Sequence, residues 1–156
     1  MATKIPLVLY NGTVSQLQAG DVLSSYDQVA ITNGDSVTMP QGTVVVSKTA
    51  GSVQRQNATA LATSRALGLM TTSAATSAAG TIQTDGTITL TTGQWDAVVT
   101  GESGGLTAGS TYWGDPATPG NLTATPPSTA TQFLVQIGVA LSATQLAIDI
   151  QSPIGL

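Results

Sequence analysis

The residues that could carry catalysis in this 156-residue chain are carboxylates and hydroxyls, because histidine and cysteine are both absent. Histidine is the usual general base, and histidine and cysteine together supply most of the zinc ligands in proteins. Their absence excludes a serine–histidine triad, thiol chemistry and disulfide bonds. We therefore expect a protein that is not an enzyme, with no catalytic residue, no cofactor and no metal ligand set.

The carboxylates do not form a recognisable catalytic pair. A glycosidase needs two of them facing each other across a cleft, and no spacing in the chain predicts such a pair. No D-x-D-x-D-G run is present for calcium, although a single calcium or magnesium ion between subunits is left open. We expect structural or solvated roles for all of them: Asp21, Asp27, Asp35, Asp85, Asp96, Glu102, Asp115 and Asp149.

One glycine-rich segment, residues 101–105 (GESGG), matches the Gly-x-Ser-x-Gly pattern of a hydrolase. That pattern works only with a histidine, and the chain has none. The segment also lacks the Gly-Lys-Ser/Thr ending of a phosphate-binding loop. We interpret it as a flexible turn.

Three aromatic residues, Trp95, Tyr112 and Trp113, fall in a region otherwise rich in glycine and threonine. Together they could form a platform on which a sugar ring stacks, and they are the candidate glycan-binding residues. The alternative is that they fill the core of a small barrel, and we favour that interpretation.

The chain is unusually poor in charge. Charged residues are 8% of the sequence and the net charge is -4, against about 25% charged residues in an average protein. Four basic residues are too few for a nucleic-acid-binding surface or for attraction to an anionic membrane. A hydrophobic content of 41% argues against disorder. No apolar run is long enough for a membrane helix, and we expect no signal peptide.

The elements predicted to position these residues are short strands. Runs at 4–10 and 13–18 flank Asn11-Gly12, a dipeptide typical of hairpin turns, and Pro6 restricts the first run to an edge strand or an extended arm. We predict an extended N-terminal arm or hairpin over residues 1–25 and a single β-domain over 26–156.

Two tight hairpins are predicted within that domain. In residues 28–39, a loop ending at Gly34 would pair Val29 with Val37. In residues 82–90, a loop ending at Gly86 would pair Ile82 with Ile88. Side-chain alternation favours both registers, because each gathers the apolar residues on one face.

A third hairpin is predicted near the C-terminus, with Leu141 opposite Leu146 and Val139 opposite Ile148. Further strands are predicted at 43–47, 66–70 and 98–100, and a short helix or an irregular segment at 57–67. Turns recur every 8–12 residues, which is the spacing of an all-β barrel or sandwich. The fold class is therefore all-β, a small barrel or sandwich of short antiparallel strands.

Several segments resemble a module common in the virion proteins of tailed bacteriophages. They are distributed over residues 4–150 and lie at 4–8, 16–21, 66–70, 79–86, 104–113, 119–127 and 135–144. Because the chain is small and stands alone, it resembles the capsid decoration (cement) proteins within that group.

That resemblance implies a structural virion protein that is made in the bacterial host cytoplasm and binds the outside of the capsid. Its partners would be the major capsid protein and further copies of itself in a homotrimer, with no nucleic acid and no membrane. An arm that adds a strand to a neighbouring sheet would make the contact through Ile5, Leu7, Val8, Leu9 and Leu17. The alternative is a head- or tail-fibre module that binds host-surface glycans.

Overall fold

The computed structural model describes residues 28–156, together with the strands β1 (Leu7–Tyr10) and β2 (Thr13–Gln16). The described residues are all-β, with two short helices. Within them, no helix is of the length and apolarity that crossing a membrane requires.

The first half of the described chain forms a closed five-stranded barrel. Its strand order is β3-β5-β4-β6-β7, and a helix of one turn, α1 (Leu61–Ser64), connects β5 to β6. All pairings are antiparallel except that between β3 and β5. The strands are β3 (Gln28–Asn33), β4 (Val44–Thr49), β5 (Ser52–Arg55), β6 (Gly68–Met70) and β7 (Ala79–Gln83).

The second half forms a five-stranded antiparallel sheet of order β10-β9-β12-β13-β8, with a separate two-stranded pair, β11 and β14. A helix of five residues, α2 (Thr92–Asp96), follows β8. The strands are β8 (Thr87–Thr89), β9 (Thr111–Gly114), β10 (Leu122–Thr123), β11 (Phe133–Leu134), β12 (Gln136–Ala140), β13 (Gln145–Ile148) and β14 (Ile154–Gly155).

Two apolar cores meet at strand β4. Successive side chains of a strand point to opposite faces, so Val45 packs in the barrel with Ile31 and Ile82, whereas Val44 packs with Trp95 and Tyr112 under the second sheet. Leu69 of β6 also belongs to the second core. One side of the barrel therefore packs against the second sheet, and the two halves share a buried apolar interface.

Backbone hydrogen bonds reinforce this junction. The Val44 N–H donates to the Gly120 carbonyl oxygen at 2.8 Å, and the Gly120 N–H donates to the Gln56 carbonyl oxygen at 2.8 Å. Gly120 has a φ of 84°, a conformation that side chains disfavour. The loop between β9 and β10 is thus tied directly into the barrel.

The N-terminal hairpin is confirmed. β1 and β2 pair antiparallel with Tyr10 opposite Thr13, which leaves Asn11 and Gly12 between them as predicted. Among the described strands, β1 and β2 pair only with each other.

The hairpin predicted over 28–39 is wrong. Gly34 does not have the positive φ that the predicted bulge requires, and β3 pairs with β5 and β7 instead. The side chain of Asn33 turns inward, where its amide donates to the carbonyl oxygens of Val37 and Ala74 at 2.9 and 2.8 Å. Asn33 therefore ends a barrel strand and is not part of a hairpin turn.

The hairpin predicted over 82–90 is also wrong. Gly86 does adopt a positive φ of 79°, but β7 continues into the barrel while β8 pairs with β13. Ile82 and Ile88 therefore lie in different cores. The Gln83 amide donates to the carbonyl oxygens of Asp85 and Thr87 and so holds the turn that joins the two halves.

The C-terminal hairpin is confirmed, but its register differs by one residue. Leu146 lies opposite Ala140, not opposite Leu141, and Ile148 lies opposite Gly138. The observed register sets each bulky residue against a small one, which a packed core accommodates more easily than two large residues. Leu141 is left 55% exposed.

The remaining elements match the predictions in part. Strand β4 covers the predicted 43–47 run, β6 covers the end of 66–70, and the helical segment of 57–67 shrinks to α1. Residues 98–100 form no strand, only a single bridge from Val99 to Leu122. Helix α2 was not predicted, although Thr91 and Gln94 form the capping box that marks its start.

Candidate functional site

The first candidate site is the N-terminal hairpin. Leu7, Val8 and Leu9 of the predicted contact set lie in β1, whereas Ile5 and Leu17 lie outside the described residues. Pairs in an antiparallel ladder alternate between hydrogen-bonded and non-hydrogen-bonded, and the pair that flanks a two-residue turn is hydrogen-bonded. The backbone N–H and C=O groups of Leu9 and Val14, the next pair, therefore point away from the hairpin on its two outer edges.

The three candidate glycan-binding aromatics do not form a platform. Trp95 and Tyr112 are both 0% exposed and lie in the second core. The indole N–H of Trp95 donates to the Thr144 carbonyl oxygen at 3.1 Å. Neither ring presents a face to solvent, so the core interpretation is confirmed for these two residues. Trp113 keeps partial exposure.

The Tyr112 hydroxyl fastens the loop that precedes β9. It donates to the Glu102 carboxylate and accepts the Thr107 backbone N–H at 2.8 Å. Burial and the hydrogen bond to Glu102 raise the pKa of Tyr112 to about 12. The ring is therefore a structural anchor of residues 102–107.

The glycine-rich segment binds a carboxylate of its own chain. The backbone N–H groups of Gly104 and Gly105 donate to Asp96 at 3.1 and 2.7 Å, at the end of α2. Gly101, Gly104 and Gly105 have φ values of 82°, 85° and 89°. These N–H groups are already occupied, so the segment is an ordered turn and not a phosphate cradle.

Asp35 forms an ion pair with Arg55, with 2.8 Å between the carboxylate and Nε. Burial alone would raise the pKa of Asp35. The hydrogen bonds from the Arg55 side chain and from the backbone N–H groups of Arg55 and Ser36 outweigh that effect and hold the pKa below its usual value. The pair fastens the 34–36 segment to β5.

The carboxylates of residues 28–156 all accept hydrogen bonds from their own chain: Asp35, Asp85, Asp96, Glu102, Asp115 and Asp149. Within those residues no three potential ligand side chains are grouped as a metal site would require. Each of these carboxylates therefore has a hydrogen-bond partner within its own chain, whereas Asp21 and Asp27 lie outside the described residues.

A groove on the outer face of the second sheet lies beside Trp113. Its volume is about 400 Å³. Trp113 and Gln136 are directly opposite each other in neighbouring strands. The groove is lined by Trp113, Leu134, Gln136, Gln151, Ser152 and Ile154.

The polar residues of this groove form a network around Asp149. One carboxylate oxygen accepts the Gln136 amide at 2.8 Å, and the other accepts the Gln151 amide at 2.5 Å. Sequence reasoning identified neither glutamine, and it gave Asp149 no special role. Nothing in their spacing could have revealed the network, because Gln136 meets Asp149 only through the pairing of β12 with β13.

A second groove, of about 490 Å³, lies on the other side of the C-terminal segment and shares Gln151 and Ser152 with the first. Its other lining residues are Leu61, Arg65, Ala66, Ile150 and Pro153. Arg65 is exposed there.

No family model matches this chain, and no curated protein matches it.

Proposed function

We propose that this protein is a structural virion protein that binds the outer surface of a tailed-bacteriophage capsid and stabilises the head lattice by clamping neighbouring capsomers. The observation that carries the proposal is the β1–β2 hairpin, which forms a two-stranded sheet apart from the other described strands. An isolated two-stranded hairpin is at best marginally stable in water. Its two edges offer backbone groups to a third strand, which the capsid would supply.

The composition of the chain supports a role inside a larger assembly. Charged residues are only 8% of the sequence, and described carboxylates such as Asp35, Asp96 and Glu102 accept hydrogen bonds from their own chain. Charged residues are depleted at the centre of protein interfaces. A surface built on threonine, serine and small apolar residues is therefore suited to being covered by neighbours.

Exposed apolar side chains provide contact area for those neighbours. Leu61 and Leu156 are 48% and 46% exposed near the C-terminal segment. In a homotrimer around a symmetry axis, each copy would contribute the same surface. Many copies held together on one shell gain avidity without a single strong contact.

A fibre module that binds host glycans through Trp95, Tyr112 and Trp113 is the second candidate. Trp95 and Tyr112 have no exposed face, so this function would depend on Trp113 alone. The groove beside Trp113 is the specific observation in its favour.

Strand addition to the β1 edge is tested by removing one outward N–H. In Leu9→Pro the outward N–H is lost, whereas the inward hydrogen bonds to β2 remain. The matched control, Leu9→Ala, shortens the same side chain but keeps the N–H. We expect Leu9→Pro to lower occupancy on heads of the encoding phage, stripped of this protein, at least tenfold by co-sedimentation, and Leu9→Ala to lower it much less.

Val14→Pro removes the outward N–H of the opposite edge and should bind like the unmodified chain. Circular dichroism checks that each variant folds. Failure of the unmodified chain to sediment with heads would overturn the proposed function. Equal binding of Leu9→Pro and Leu9→Ala would overturn the β1 edge as the contact.

A further inference from the structure

The outer face of the second sheet presents an aromatic ring next to hydrogen-bonding groups. Alternation along β9 buries Tyr112 and places Trp113 on the opposite face, where it is partly exposed. Gln136 stands beside it on β12 and Thr123 stands beside it on β10. The ring therefore sits in the middle of three strands and not at a mobile tip.

The space beside the ring has the size and lining of a small-molecule site. Its volume of about 400 Å³ falls in the range of roughly 300–1,000 Å³ that ligand pockets occupy. Trp113, Leu134 and Ile154 give it an apolar side, and two amides and the Ser152 hydroxyl give it a polar side. Such a site suits a ligand with one apolar face and several polar substituents.

The polar side is pre-organised around Asp149. The amides of Gln136 and Gln151, both in the groove lining, each hold one oxygen of its carboxylate. Each amide still has a second N–H and a carbonyl oxygen, and a carboxylate accepts more than one hydrogen bond per oxygen. Donors and acceptors therefore alternate over a short distance.

This arrangement matches the hydroxyl groups of a sugar, each of which both donates and accepts. The groove lining contains no basic side chain, and the carboxylate of Asp149 is bonded to two of its residues, so a phosphate or another anion would find no counter-charge. A purely apolar ligand would bury the amides without partners, which costs free energy. A neutral hexopyranose satisfies both sides of the groove.

We propose that this groove is a saccharide-binding site in which the indole of Trp113 stacks against the apolar face of a neutral hexopyranose. Gln136 and Gln151, whose amides are held by Asp149, bind its hydroxyl groups. This proposal does not depend on attachment to a capsid, and it applies equally to a chain on a virion or free in solution.

The two tryptophans of the chain make the test direct, because Trp95 is fully buried and Trp113 is not. Tryptophan fluorescence of the full chain is titrated with glucose, galactose, mannose, rhamnose and N-acetylglucosamine. At least one sugar should give a saturable change in emission, and Trp113→Phe should abolish the change because only Trp95 remains as emitter. Calorimetry with the same sugar should show a loss of binding in Trp113→Ala.

Asp149→Asn tests the polar side with little change in shape. It should weaken binding about tenfold, because the charged hydrogen bonds that hold the amides of Gln136 and Gln151 in place become neutral or are lost. Asp85→Asn, at an exposed turn outside the groove, removes the same charge and should bind normally. Near-ultraviolet circular dichroism confirms that the variants are folded.

Three results would overturn the proposal. The first is no saturable response to any sugar of the panel. The second is calorimetric binding that survives in folded Trp113→Ala. The third is emission that changes with protein concentration but not with sugar, since a second copy would then occupy the groove.

Discussion

At the scale of single residues, Tyr112 connects the core to a loop. Its ring is buried beneath the second sheet, while its hydroxyl binds both Glu102 and the Thr107 backbone. A phenolate in that position would face the Glu102 carboxylate at close range. Burial of the hydroxyl and the hydrogen bond to Glu102 both favour the neutral form in the folded chain, which is why the pKa is raised.

This predicts a specific dependence of stability on alkaline pH. The pKa of Tyr112 rises from 10.0 to about 12 on folding, so the unfolded chain loses its proton first. The stabilisation is fully present below pH 10 and is lost as pH rises from about 10 to about 12. In Tyr112→Phe this part of the decline should be absent, and stability at neutral pH should fall by about 1 kcal/mol.

Urea denaturation of both proteins across that pH range provides the measurement. The difference between the two curves isolates Tyr112, because every other ionisable side chain is the same in both proteins. Parallel curves would show that the hydroxyl titrates alike in the folded and unfolded chains.

The sequence predicted some residue roles and not others, for a physical reason. The core interpretation of Trp95, Tyr112 and Trp113 holds for the first two, since large aromatic side chains gain most from burial. It does not hold for Trp113, which is partly exposed. The network of Gln136, Asp149 and Gln151 was not predictable, since it depends on which strands pair and in which register. The chemistry of a side chain predicts whether it is buried, whereas strand pairing in the folded chain decides which side chains come into contact.

At the scale of elements, the Asn11-Gly12 prediction succeeded and two similar ones failed. A turn dipeptide specifies a change of direction, and Gly86 does adopt the expected positive φ. It does not specify that the flanking strands pair with each other. At Gly86 the two strands diverge into different halves of the molecule, where β7 pairs with β3 and β8 pairs with β13.

Strand β12 gives a prediction at this scale. Gly138 is buried, and a Cβ atom there would lie 2.2 Å from the Ala147 carbonyl oxygen of β13. Because that atom is backbone, the two strands would have to separate. Gly138→Ala should lower the free energy of unfolding by roughly 1–3 kcal/mol, measured by urea denaturation.

Gly93→Ala is the matched control. Gly93 lies in α2, and an added Cβ would meet nothing within 4 Å. Alanine is the better helix former, so this variant should gain about 0.5–1 kcal/mol. If Gly138→Ala were as stable as the unmodified chain, the close approach of β12 and β13 would be wrong.

At the scale of the whole molecule, β4 makes the two halves depend on each other. Val44 and Val45 are adjacent in sequence but belong to different cores, and both are 0% exposed. Unfolding of the barrel would therefore expose the apolar side chains of the second core that pack against it. We expect residues 28–156 to unfold in one cooperative transition.

The prediction is that Val44→Ala and Val45→Ala destabilise both halves alike, by roughly 1.5–3 kcal/mol each. Tryptophan fluorescence, from Trp95 and Trp113, reports on the second half of the molecule, and far-ultraviolet circular dichroism reports on all strands. The two signals should change together in each variant. A Val45→Ala protein whose dichroism changes at lower urea than its fluorescence would show that the halves unfold separately.

The contiguous arrangement of the barrel also bears on how the chain is made. Its five strands all fall within residues 28–83, so the barrel has every partner it needs once that length has emerged from the ribosome. Strand β8 must wait for β13, which is synthesised more than fifty residues later. During that interval Val44 and Leu69, which later face the second sheet, lie on the outside of a closed barrel. A nascent chain that stalled before β13 was synthesised would expose these apolar side chains to solvent. This is the stage of synthesis at which the protein most needs protection from aggregation.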